Sequence, residues 1–269
     1  MVEPNLEVCR AISLQWGLPL QFVVKEFYLF DVLSQVTMQL PVSPAILEGR
    51  KEPQVVFKGG TALNKVYFGK LQRFSEDLDF DLNTTSFSEL KEFCNGLASR
   101  ITGYEITEFR RVKDTMQFYC VFQSPFGNKD HIRIDVAAKT IITDKPPIVK
   151  PAVSEYTGRF VTGFYVYSLE DLVARKMNAL MGRCEGKDVY DVSTALPFCG
   201  KLQNAIAKSL ESENSKLTTS QFMEKTIKAV KNADTKKLKR LTNPFIPSNS
   251  RPRDWVELKN DLILKLQQL

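Results

Sequence analysis

Two short runs limit what this chain can fold into. Val55-Val56-Phe57 is an apolar, β-branched stretch that stops at Lys58-Gly59-Gly60-Thr61. After a spacer comes Arg73-Phe74-Ser75-Glu76-Asp77-Leu78-Asp79-Phe80. The first run reads as a buried strand broken by a glycine turn that opens a helix. The second alternates acid with apolar residue, the period of a strand, so Asp77 and Asp79 share one face and Leu78 and Phe80 the other. A glycine turn at a helix start offers free backbone N–H groups to a phosphate. Gly59 and Gly60 also permit positive φ and a close approach of backbone to ligand. Two hard oxygen donors beside such a cradle are what a metal-bound nucleotide requires, which points to nucleotidyl transfer.

The remaining elements follow from periodicity and punctuation. Residues 5–16 and 20–40 read as helices separated by Gly17-Leu18-Pro19. Thr61 is placed to cap a helix through Tyr67. Arg73 to Leu82 reads as the acidic strand, and Ser86 with Glu89 as a capping box for a helix to about Ile101. Strands follow at Tyr104–Arg111, Met116–Gln123 and His131–Ala137, then short strand segments between Arg159 and Val166. From Ser168 onward the pattern is helical. The expectation is an α/β half, residues 1–166, and a helical half, residues 167–269, that completes a cleft between them.

Within Ile132-Arg133-Ile134-Asp135-Val136 the apolar residues face one way, leaving Arg133 and Asp135 on the other. A strand beside the acidic one would bring Asp135 to Asp77 and Asp79. Three such carboxylates are the expected ligands of two Mg²⁺ ions about 3.5–4 Å apart, with Mn²⁺ an alternative. The competing reading is three acids on a solvated strand face. Asp81, next on that face, is expected to be solvated. Thr61 and Ser75 place hydroxyls near the expected phosphates, and a phosphate on Ser75 would bring negative charge into the same place. Lys58 and Lys65 face either the triphosphate or solvent. In the later helix Leu172, Val173, Met177 and Leu180 form an apolar stripe, with Lys176 and Arg183 together beside it. Asp188 and Asp191 lie one turn apart. Asp191 is placed either to orient Lys176 or Arg183 by an ion pair or to cap packing.

The two opening runs resemble the AbiEii/AbiGii-type nucleotidyltransferase toxins, MenT-like proteins among them, of the DNA polymerase β-like nucleotidyltransferase superfamily. Those proteins read F-K-G-G-T-A-L, a spacer, then R-F-S-E-D-L-D-F. Val24 to Leu33 is similar to the family's leading helix, E-K-D-Y-x-L-x-x-V-L. Leu169 to Lys176, with Arg183 and Lys187-Asp188-Val189-Tyr190-Asp191, is similar to its E-x-x-x-A-x-K, R and R-D-x-x-D block. The resemblance covers roughly residues 22 to 195. Lys187 stands where arginine is usual, which keeps the charge and loses the bidentate fork; Phe27 stands where aspartate is common. The resemblance implies a polymerase β-like α/β domain with a mixed sheet, followed by an α-helical domain. It implies an NTP substrate, Lys176 and Arg183 as clamps on its γ- and β-phosphates, and a toxin restrained by an antitoxin from a neighbouring gene. It also implies an RNA acceptor, the tRNA 3′ end above all.

Composition closes off other classes. The five cysteines, Cys9, Cys94, Cys120, Cys184 and Cys199, are scattered without a Cys-x-x-Cys, so neither zinc nor a disulfide framework is expected. His131 is the one histidine, which excludes His-pair metal sites. No run reaches the ~20 apolar residues of a membrane span, and the N-terminus lacks a signal pattern, so the expected setting is cytoplasmic, away from membranes. The net charge of +6 favours a polyanionic partner. Eight of the basic residues, Lys216, Lys225, Lys228, Lys231, Lys236, Lys237, Lys239 and Arg240, lie in one segment without interleaved aromatics. That segment reads either as an RNA-backbone surface or as a solvated face. Two other classes stay open: adenylylation of a small-molecule or protein hydroxyl, and a non-catalytic nucleotide-binding module.

Overall fold

The computed structural model describes residues 3–40, 53–71 and 73–269. Its frame is a seven-stranded mixed sheet. The strands are β1 (Val55–Lys58), β2 (Asp77–Asn83), β3 (Glu105–Val112), β4 (Thr115–Gln123), β5 (Lys129–Lys139), β6 (Ile148–Val149) and β9 (Tyr165–Val166), in the order β3-β4-β5-β2-β1-β9-β6. β2 runs parallel to β5 and antiparallel to β1, so the acidic strand lies at the middle of the sheet. Two further short strands, β7 (Ala152–Val153) and β8 (Phe160–Val161), pair with each other.

The alternation anticipated for β2 extends over its neighbours. Leu78, Phe80, Phe118, Ile132, Ile134 and Val136 are all buried on one face. Burying each is worth about 1.5–3 kcal/mol, which fixes the register and forces the polar residues to the other face. The helix Leu20–Thr37 packs on the core face, where Tyr28 stacks on Phe122 with ring centroids 3.8 Å apart. Its two buried charges are both paired. Glu26 binds Lys65 at 2.5 Å, and Lys25 reaches Asp130 at 3.0 Å and Glu76 at 3.4 Å.

Local differences from the sequence reading have identifiable causes. The helix after β1 begins at Gly59, not at Thr61, and from Leu63 to Phe68 it is wound as a π-helix. Asn64 inserts its side-chain amide onto the Gly60 carbonyl at 2.6 Å, an intrusion of the kind that widens a helical ladder. Ser86 caps the helix Phe87–Ala98, but the Glu89 carboxylate accepts from the Thr84 hydroxyl, so the capping box is not closed. The acidic strand starts at Asp77, leaving Arg73 to Glu76 as an extended approach to it.

Beyond β9 the chain is helical. Ser168 caps Leu169–Gly182, which packs against Gly186–Ala195, Gln203–Ser212 and Thr219–Asn232. One hydrophobic cluster runs through both halves, and the Phe74 N–H donates to the Phe245 carbonyl at 2.7 Å. No helix among the described residues is long and apolar enough to cross a membrane.

Candidate active site

The register sets Asp77 beside Arg133 and Asp79 beside Asp135, so β2 and β5 gather all three carboxylates on the polar face. Arg133 occupies the space among them. Its Nη2 lies 2.6 Å from Asp77 Oδ2 and its Nε 3.5 Å from Asp135 Oδ2. Gln117 on β4 donates to Asp135 Oδ2 at 3.2 Å, while Asp135 Oδ1 is buried with no partner. Burial and the charges of Asp135 and Asp77 push the Asp79 carboxyl up to about 6. Burial also raises Asp135, against the pull of Arg133.

The glycine turn abuts this cluster. Gly59 has φ +78°, and a Cβ there would stand 2.1 Å from Asp79 Oδ2. A Cβ at Gly60 would stand 2.6 Å from Arg73 Nη2 and 3.4 Å from Lys176 Nζ. Gly59 is therefore required by its φ and its approach to Asp79, and Gly60 brings the backbone close to the buried Arg73 and Lys176.

The cations form a chain across the two halves. Arg73 grips Asp191 with both arms, Nε at 2.8 Å and Nη2 at 2.7 Å. Lys176 Nζ is 3.0 Å from both Asp191 and Asp188. Arg183 closes the chain on Asp188 at 2.9 and 3.1 Å. Asp191 and Asp188 have no solvent exposure, whereas the Arg183 side chain keeps 57%. The arrangement anchors an exposed guanidinium on a buried acid, with Glu185 also 3.7 Å from Arg183 Nε. Lys176 and Arg183 hold Asp188 down at about 2, overcoming the penalty of its burial.

A cleft of about 210 Å³ joins the two groups, lined among others by Lys58, Gly59, Gly60, Asp79, Asp81, Lys176 and Arg183. A larger cavity of about 670 Å³ begins on the other side of Arg183 and includes Lys187, Lys237 and Phe245.

Not every expected residue reaches the cleft. Lys65 is buried on Glu26 and over the Tyr156 ring at 4.8 Å, so it holds helices together instead of facing a triphosphate. Thr61 is fully buried, neither capping a helix nor facing the cleft. Its hydroxyl donates to the Asp77 carbonyl and lies 2.7 Å from Ser75 Oγ, lashing the glycine turn to the acidic strand. Ser75 is itself 7% exposed. Asp81 is buried, not solvated: it binds Lys58 and accepts from the Tyr167 hydroxyl at 2.7 Å. Asp191 orients Lys176 and Arg73, and Arg183 belongs to Asp188.

Three residues were not assigned from the sequence. Arg73 stood inside the motif without a role, and its partner is 118 positions away. Asn64, a poor helix former in mid-helix, also donates to Asp191 at 3.1 Å. Tyr167 carried no local signal.

The donor set suits a hard divalent cation, since carboxylate oxygens are the donors such ions take and the buried Asp135 Oδ1 has no partner. Among the described residues no three potential ligands converge on one point as arranged, because Asp77 is turned to Arg133.

Comparison with known proteins gives three findings. The family model described as nucleotidyl transferase AbiEii toxin, type IV toxin–antitoxin system, matches residues 45–267. MenT4, a nucleotidyltransferase toxin from Mycobacterium tuberculosis, is similar in structure with TM-score 0.63 at 15% identity, over 99% of this chain and 91% of its own. JHP933 from Helicobacter pylori is similar with TM-score 0.50 at 17% identity, over 88% of this chain and 90% of its own. No curated protein sequence matches this chain.

Proposed function

We propose, from the premise that this chain belongs to the AbiEii nucleotidyltransferase toxin family, that it moves a nucleoside monophosphate from an NTP to the 3′ hydroxyl of an RNA, with tRNA the best candidate. One observation carries this reading: Asp79 lies directly against the Gly59–Gly60 turn, with Lys176 on the turn's other side. Acid cluster, phosphate cradle and phosphate-binding cations thus meet in one cleft.

In the proposed reaction the acceptor oxygen bonds to the α-phosphorus and the bond from that phosphorus to the bridging oxygen breaks. Pyrophosphate leaves with the electron pair, and the hydroxyl proton passes to Asp135. The N–H groups of the turn hold the triphosphate, and Lys176 and Arg183 take its β- and γ-oxygens from the helical side. Asp188 and Asp191 hold those two cations in place. Asp77, Asp79 and Asp135 would hold the divalent ions, Mg²⁺ first, that lower the hydroxyl pKa and offset triphosphate charge. Cation binding at Asp77 must displace Arg133 from that carboxylate.

The exposed residues Lys225, Lys228 and Lys231 on the helix Thr219–Asn232 support a polyanionic acceptor. Membership of a type IV toxin–antitoxin family brings an antitoxin as partner. The test is incubation with tRNA, Mg²⁺ and each α-labelled NTP in turn. Label is expected in tRNA with the intact protein and not with Asp77→Ala; label that persists in the variant refutes the assignment.

A further inference from the structure

The polar face of the sheet continues beyond the carboxylates. Register sets Asp77 beside Arg133, Arg133 beside Tyr119 on β4, and Tyr119 beside Thr107 on β3. Residues in register point to the same side, so these four form one row across the sheet. Asp79, Asp135, Gln117 and Arg110 form the next row. Thr107, Gln117, Tyr119 and Arg133 are half-buried, and Arg110 and His131 are exposed. His131 meets the Tyr119 ring edge-on, with centroids 4.9 Å apart, and props it beside Arg133.

Position gives this face a direction. Phosphoryl transfer needs the attacking and leaving oxygens roughly in line, on opposite sides of the phosphorus. The groups suited to the triphosphate, Gly59, Gly60, Lys176 and Arg183, lie on the β1 side of β2. The attacking hydroxyl then arrives from the β5 side, over Arg133 and Tyr119.

We propose that this face is the docking platform for a single-stranded nucleic-acid 3′ end, with Tyr119 stacking on its terminal base and Arg133 holding the adjoining phosphate. The inference rests on the nucleotidyltransferase reading above. An aromatic ring between Arg133 and Arg110 is the pattern that binds single strands, because stacking tolerates any base while the two guanidinium groups track the backbone. The segment from Lys216 to Arg240 is basic without aromatics and can hold a backbone but not a splayed base.

The test measures binding of a short, labelled single-stranded oligoribonucleotide to the full chain by anisotropy, alongside separate KM values for oligonucleotide and NTP. Tyr119→Ala is expected to weaken oligonucleotide binding roughly 5- to 160-fold, with the NTP KM unmoved. Tyr119→Phe, which keeps the ring, stays within about twofold, the tolerance of a stacking role. Arg133→Gln lowers the slope of log affinity against log salt by about 0.7, the share of one single-strand phosphate. Wild-type binding in Tyr119→Ala, or equal loss in Tyr119→Phe, overturns the proposal. Should Tyr119→Ala fail to fold, photocrosslinking of a thiouridine-ended oligonucleotide to the wild-type chain decides. Adducts on β4 or β5 support the platform, and adducts confined to the helix Thr219–Asn232 overturn it. Failure of the underlying reading looks different, since no Asp77-dependent label then enters any acceptor.

Discussion

Replacing Asp79 with asparagine should make this protein more stable while ending its activity. Asp79 sits beneath the glycine turn beside two other carboxylates, and its carboxyl is raised to about 6 from 3.8. In that interval the folded chain binds a proton the unfolded chain has released. This group's contribution to stability therefore grows as pH falls through about 6 and is complete below 3.8; above about 6 the full penalty applies. The difference is about two pKa units, and at ~1.36 kcal/mol per unit the ionised carboxylate costs at most about 3 kcal/mol near neutral pH. The residue keeps partial solvent access, so 3 kcal/mol is an upper bound. Asparagine retains the shape and drops the charge. With a chelator present at neutral pH, Asp79→Asn should melt several degrees higher, up to roughly 10 °C. The gain should shrink toward zero near pH 4. Adding Mg²⁺ should raise the melting temperature of wild type more than that of the variant. An Asp79→Asn protein that is no more stable than wild type at neutral pH, with chelator, refutes the electrostatic account of this cluster.

Asp191→Asn strips the buried Arg73 and Lys176 of a shared counter-charge and should cost about 3–5 kcal/mol in urea unfolding, more than Lys176→Met. Asp188 titrates at about 2, so its pairing stabilises the fold above about 4 and is lost as pH falls through about 2. The acid limb of a pH–stability curve should accordingly flatten in Asp188→Asn, by about 2 kcal/mol. Gly59→Ala combines a positive φ with a Cβ 2.1 Å from Asp79 Oδ2. It should cost about 1–3 kcal/mol in stability and abolish labelled-NTP incorporation, whereas an alanine variant with wild-type incorporation would show that the close approach is dispensable.

The local motif was legible because its signals are local. A glycine pair after a β-branched run ends the strand, here as the first residues of a helix, and acids alternating with Leu78 and Phe80 share a strand face. Alternation puts Asp77 and Asp79 on one face, whereas Asp135 joins them only because β5 pairs with β2, with the intervening apolar residues buried on the opposite face. Lys65, Thr61 and Asp81 went elsewhere than expected because a side chain's partner is chosen in three dimensions. Lys65 met the buried Glu26 from a helix 39 positions earlier, and Asp81 met Lys58 from the neighbouring strand β1 and Tyr167 from just beyond β9.

The sequence by itself determined most of the elements, the mixed α/β class and the shared face of Asp77 and Asp79, since periodicity and hydrophobic burial act over a few residues. Tertiary structure alone decided which charges face each other. Buried ions cannot remain unpaired, so Arg73, Asp191, Lys176 and Asp188 settled into one chain, ending on the exposed Arg183, that joins the residues on both sides of the cleft.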